Sequence, residues 1–271
     1  MYRLSVSLLA LFIVVPLRGQ TIGGRVVDTA ARPLPFANVG LENRPVGTVS
    51  DAEGRFSLTV GDPLPGDTLR ISYLGCEPLR FAWAELGDEP LVAVLRPAAQ
   101  RIEAVTVVPE GGRLRTFGRD VRGGGVCCGF RRGQEGGELG IRCALGKRRG
   151  RAERARIGLA GARGIDTLRL RLNVYALEGN RVGGPLLVRP ILLTIPASEA
   201  DRTVEVDLRP CDIRLAGDFL FAVENLTPMR GEAQFWLHAR LLAHTLFRPA
   251  SQAPWERRGV GVSIAVDVRT D

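Results

Sequence analysis

Apolar positions recur at every second residue in short runs along most of the chain. In "RFSLTV" (55–60), Phe56, Leu58 and Val60 alternate with Arg55, Ser57 and Thr59, the signature of a strand with one apolar face. "DTLRISYLG" (67–75) repeats it with Leu69, Ile71 and Tyr73. "IGGRVVD" (22–28), "ANVGLE" (37–42), "GTVS" (47–50), "EPLRFAW" (77–83) and "PLVAVLR" (90–96) bring the count to about seven strands before residue 97. Seven short strands in that length predict a compact β-sandwich over 21–97.

The second half follows the same period. "DTLRLRLNVYAL" (166–177) places Leu168, Leu170, Leu172 and Val174 on one face. In "ERARIGLA" (153–160), Ala155, Ile157 and Leu159 are expected to point inward and Arg154 and Arg156 outward. "ELGIRCAL" (138–145), "RTVEVDL" (202–208), "DFLFAVEN" (218–225), "QFWLHARLLA" (234–243) and "GVSIAVDV" (261–268) add further strands. Pro190 in "LLVRPILLTI" (186–195) marks an edge strand or a bulge. No helical period exceeds two turns, so the prediction is all-β, with a second, jelly-roll-like sandwich over 113–271. The glycine cluster "RGGGVCCG" (122–129) is expected to be a flexible loop, and 98–112 a linker or an extra strand.

The N-terminus breaks the pattern. One basic residue, Arg3, precedes an apolar run over 4–17 that ends in Arg18-Gly19-Gln20. This is the plan of a secretory signal peptide over 1–20, too short to span a bilayer comfortably. No cysteine stands at the expected cleavage point, and no later run suits a membrane helix, so no transmembrane segment is expected after cleavage. An exported protein of the periplasm or outer-membrane surface follows.

Export changes how the cysteines and charges read. Cys76, Cys127, Cys128, Cys143 and Cys211 are an odd number, so one at least stays unpaired in an oxidising compartment. A Cys128–Cys143 disulfide and five free thiols are both open readings. The net charge of +8 is concentrated over 111–163, where fourteen basic residues face four acidic ones. Such a segment suits anionic lipid or acidic glycans, while export argues against nucleic acid; a solvated strand face is the plainer expectation.

"GGRVVD", "PLPFANV", "GTVSDAEGRFSL" and "LRISYLG" together resemble the carboxypeptidase-like regulatory domain, over 22–96. The resemblance implies a Greek-key, prealbumin-like sandwich without catalytic residues, set beside peptidases or at the front of TonB-dependent outer-membrane receptors. Cys76 departs from it, standing where that pattern has an aromatic. "IEAVTVV" (102–108) is similar to the segment that follows the module in those receptors, but the remaining residues are too few for a plug and a large barrel. The second half resembles, more loosely, the region behind the same module in exported bacterial proteins of unknown function.

No motif for catalysis stands out. His238 and His244 are the only histidines, separated by about 20 Å at strand rise, too far to share a metal. Gly-x-Ser-x-Gly is absent, the carboxylates are scattered, and no metal or other cofactor is expected. Trp83, Trp236 and Trp255 are either packing residues or sugar-stacking surfaces, with Trp236 and Trp255 the candidate contacts for a glycan or protein partner. Asp51-Ala52-Glu53-Gly54 lacks the ligand spacing of a calcium loop and reads as a hairpin turn. The expected task is therefore non-enzymatic binding or scaffolding, with an accessory role in TonB-linked uptake or glycan binding as the alternatives and a hydrolase the least favoured reading.

Overall fold

The computed structural model describes residues 19–87, 89–98, 112–121, 123 and 125–271. Residues 1–18 of the expected signal peptide, and most of the 98–112 segment, lie outside the described residues, while Gln20, at the end of that expected span, opens the first strand. Among the described residues the chain is all-β, with three short 3₁₀ turns and no α-helix.

The first unit contains β1 (Gln20–Asp28), β2 (Asn38–Leu41), β3 (Gly47–Val49), β4 (Arg55–Val60), β5 (Thr68–Ser72), β6 (Leu79–Ala82) and β7 (Leu91–Leu95). Two sheets form, in the orders β4-β1-β7 and β3-β2-β5-β6. The β1–β7 pair is parallel. The alternation predicted for β4 is observed: Phe56, Leu58 and Val60 are buried and the residues between them exposed. They pack with Val39, Leu41, Leu69, Ile71 and Trp83 in one core. The Trp83 indole also donates to Gln20 Oε1 at 3.1 Å, so this tryptophan is a packing residue.

The Asp51–Gly54 turn is not a hairpin. β3 pairs with β2 and β4 with β1, so the turn carries the chain from one sheet to the other. The local chemistry is as the sequence indicates. Asp51 Oδ1 accepts from the amides of Glu53 (3.0 Å) and Arg55 (2.8 Å), and Gly54 takes φ +75°. Partial burial works against the Asp51 charge, but the Arg55 amide and guanidinium and the Glu53 amide outweigh it and hold the carboxyl below its usual range. A carboxyl depressed in the fold stabilises above its unfolded pKa and loses that contribution as pH falls through its folded value. Asp51→Asn is therefore expected to lower stability at neutral pH by about 1 kcal/mol, with the difference vanishing in acid, as read by urea unfolding at both pH values.

The second unit contains β8 (Arg113–Arg119), β9 (Val126–Arg131), β10 (Glu138–Cys143), β11 (Arg149–Arg163), β12 (Thr167–Glu178), β13 (Arg181–Pro185) and β14 (Ile191–Pro196). There follow β15 (Thr203–Asp207), β16 (Arg214–Ala216), β17 (Phe219–Asn225), β18 (Gln234–Arg248), β19 (Glu256–Val262) and β20 (Ile264–Thr270). In place of two separate sheets, these form one antiparallel sheet of thirteen strands around a single core. The long strands make this continuity. β11 pairs with β20 over Gly150–Ile157 and then with β18 over Leu159–Arg163, with a register shift inside each pairing, so one strand belongs to both halves. Leu168, Leu170, Leu172 and Val174 face the core as predicted. Pro190 falls in the gap between β13 and β14, which both pair with β12.

One expectation is corrected here, and one open reading is decided. Residues 126–129 are not a flexible loop but the start of β9, paired with β18 over Gln234–Ala239. Cys128 and Phe130, at alternate positions, turn toward the core, where Phe130 meets Phe235 at 5.2 Å between ring centroids. The preceding glycines had hidden that short alternation. The Cys128–Cys143 disulfide is not made, and all five cysteines are free. Cys128 pairs with Leu237 near the start of β18, whereas β10, which carries Cys143, meets β18 only at its end, opposite Leu246–Arg248. A bridge needs Cα atoms within about 7 Å. Burial instead pushes the Cys143 thiol well above its ordinary pKa.

Candidate functional site

Two features stand out: a buried polar seam between the units, and an open cleft beside it.

The seam begins as a cross-strand row. Arg171 of β12 is opposite Glu224 of β17, Glu224 is opposite Glu138 of β10, and Glu138 is opposite Arg248 of β18. Four adjacent strands thus present charges in the order plus, minus, minus, plus, about 5 Å apart. Both glutamates are fully buried, so two of the carboxylates that are scattered along the chain meet across adjacent strands. They face away from the core of their own sheet, but that outer face is covered. Arg171 holds Glu224 through two bonds of 2.7 Å, and Arg248 pairs with Glu138. Asn173 Nδ2 bridges the carboxylates, at 2.6 Å from Glu224 and 3.1 Å from Glu138, and the Tyr175 hydroxyl donates to Glu138 at 3.0 Å. Burial disfavours the charge of both arginines, and the facing carboxylates overcome it, so both guanidiniums are held above their usual pKa. Burial pushes the Glu138 carboxyl up, against the pull of Arg248.

The cover is the first unit. Arg171 donates to Phe36 O at 2.8 Å and to Asn38 Oδ1. From the β18–β19 connection, Gln252 accepts from Arg70 at 2.5 Å and donates to Ser72 at 2.9 Å. Gly40 and Gly47 allow the two backbones to meet: a Cβ there would lie 2.2 and 2.4 Å from Ser251 O. The outward face of β2, β3 and β5 is therefore consumed by the contact between units.

At the other end of the row, the Arg248 guanidinium sits 5.0 Å from the centroid of Trp255, and Tyr175 meets the same indole edge-on at 6.0 Å. Trp255 forms one wall of a cleft of about 760 Å³. Ile141, Leu246 and Val262 make an apolar floor, and Arg119, Arg142, Arg240, Arg257, His244 and Asn180 surround it. An irregularity in β18 shapes this cleft. Between Leu241 and Thr245 four steps on β18 match two on β19, and Leu242 takes φ +57°. The extra residues bring Ala243 and His244 into the lining of the cleft. No carboxylate lines the cleft among the described residues.

The sequence-predicted candidates separate. Trp255 reaches the cleft, while Trp236 lies near the other end of β18, opposite Gly129. His244 lines the cleft, while His238 stands opposite Cys127, 3.9 Å from Asp201. Among the described residues no cluster of His, Cys, Asp and Glu has the makings of a metal site. Arg119, Arg240 and Arg257 were not singled out, because they come from three strands whose meeting no spacing shows. Within the basic segment, Arg156 binds Asp267 at 2.7 and 2.9 Å, Arg142 binds Asp218 at 3.1 Å, and Arg154 and Arg163 face Glu205 and Glu232. A second, larger groove of about 1110 Å³ runs between the units past Asp51 and Glu53 to Arg169 and Met229, with charges of both signs.

This architecture defines a two-part β protein whose first unit is a known module. Residues 22–107 match the family model of the CarboxypepD_reg-like domain, so the chain carries that domain, followed by a second β region. The match runs past β7 into the segment that contains "IEAVTVV". No curated protein matches the chain. Among solved structures, that of the infectious bursal disease virus Gt strain aligns at 11% identity and TM-score 0.24, covering 94% of this chain and 65% of that one. The Gx strain aligns at 9% identity and TM-score 0.21, covering 92% and 63%. The chain thus spans less than two thirds of those viral chains, and such scores carry no argument about fold or function.

Proposed function

We propose that this is an exported, non-enzymatic binding protein of the bacterial cell envelope. In this reading the CarboxypepD_reg-like domain, a prealbumin-like Greek-key module, is a fixed platform and the second β region carries the ligand. The observation that carries it is the Trp255 cleft, an apolar floor with a preset indole wall and a polar rim. Its lining supports binding over chemistry, since it pairs His244 with no carboxylate and the Thr245 hydroxyl already accepts from Val262 N at 3.0 Å. The N-terminal apolar run supports export. A second reading, an accessory of TonB-linked uptake, draws on "IEAVTVV", into which the family match extends.

Sedimentation of the mature chain with isolated cell envelopes tests the proposal. Saturable binding that Trp255→Ala weakens is expected, with no turnover of model peptides or glycosides. Turnover lost in His244→Ala, or a chain that never leaves the soluble fraction, would overturn it. Recovery of an outer-membrane receptor in the pellet favours the second reading.

A further inference from the structure

We propose that the Trp255 cleft binds an acidic oligosaccharide, one that carries carboxylate groups on its sugar rings. The inference rests on the reading of this cleft as the binding site and adds the chemical class of the ligand.

The rim is of one sign. Arg119, Arg240 and Arg257 are exposed around the opening, and none forms an ion pair among the described residues. That sets them apart from Arg142, which is tied to Asp218 and Asn180 and serves as wall. Unpaired guanidiniums gathered about a low-dielectric floor repel one another, and an anion relieves that repulsion. A guanidinium matches a carboxylate with two parallel hydrogen bonds.

The floor and wall suit a sugar ring. Ile141 and Val262 are buried to 6% and 3% exposure, so they offer shallow apolar edges rather than a channel for an acyl chain. Trp255 is held between Arg248 and Tyr175 before any ligand arrives, so little ordering remains to oppose stacking on the C–H face of a pyranose. Leu242, fully exposed on the neighbouring bulge, is the feature that would instead suit a lipid surface, and the test includes that outcome.

The experiment is titration calorimetry of the mature chain with a galacturonate tetramer, a neutral glucose tetramer and phosphatidylglycerol vesicles. The tetrameric uronate is expected to bind, more weakly as salt rises, and the neutral tetramer at least tenfold more weakly. Arg240→Gln with Arg257→Gln, both exposed and outside the core, is expected to reduce uronate affinity about tenfold or more while the thermal unfolding midpoint is unchanged. Equal binding of the neutral tetramer, indifferent to the arginine variant, overturns the acidic class while leaving a Trp255-dependent binding protein intact. Vesicle binding lost in Leu242→Ser, without uronate binding, overturns it in favour of a lipid surface. Absence of uronate binding overturns it outright, whereas failure of the envelope sedimentation removes the underlying reading.

Discussion

Arg171→Ala is expected to destabilise the protein by about 3–5 kcal/mol, because it leaves a buried carboxylate without its counter-ion. Glu224 is fully buried and lies opposite Glu138, so only the Asn173 amide would remain to satisfy it. The same change removes the bonds to Phe36 O and Asn38 that tie the units together. Urea unfolding measures the loss. Adding Glu224→Leu to Arg171→Met is expected to recover most of it, since an apolar pair of similar volume replaces a buried ion pair at little cost. Arg154→Ala provides the contrast: its partner Glu205 is half exposed, as is Arg154 itself, and a change of at most about 1 kcal/mol is expected. A small loss in Arg171→Ala would mean that the row is hydrated and the seam open.

Gly40→Val is the second large effect. A Cβ at Gly40 would lie 2.2 Å from the Ser251 carbonyl oxygen and 3.1 Å from that of Val46, and neither is a flexible side-chain end. The backbones must part, at a cost of about 1–3 kcal/mol or more. Gly47→Val meets the same Ser251 oxygen and is expected to act alike. Because the obstruction lies at the contact between units and not in either core, the expected signature is loss of coupling. Scanning calorimetry should show two separated transitions in place of one, and small-angle scattering a larger radius of gyration. Gly61→Ala, with open space around it, should change neither. A single unchanged transition in Gly40→Val would show that the units are not coupled through Ser251.

How much of this was legible beforehand depended on whether the information was local. The strand of Phe56, Leu58 and Val60 and that of Leu168 to Val174 follow from a two-residue period with one apolar face. The Asp51 turn was legible in its chemistry, since a carboxylate two and four residues before receptive amides is a local arrangement. Its role was not legible, because hairpin and sheet-to-sheet corner share that chemistry and differ only in which strands pair. β9 was missed since the half-buried Cys128 and the buried Phe130 supply only two inward positions behind a glycine run. The alternation of Leu170 and Leu172 places Arg171 on the other face of β12, but nothing local shows that the first unit covers that face.

By itself the sequence determined the all-β class, the module over the first part of the chain, and, in strands such as β4 and β12, which residues face the core. These properties depend on neighbours in the chain, where backbone pleating sets the side-chain direction. Tertiary structure alone decided that the second region is one sheet of thirteen strands, that Glu138 and Glu224 are buried, and that Arg119, Arg240, Arg257 and Trp255 surround one cleft. The physical reason is the same in each case. Strand order, register across a bulge and the docking of one surface on another are set by contacts between residues far apart in the chain, and alternation within a strand is equally compatible with many such arrangements.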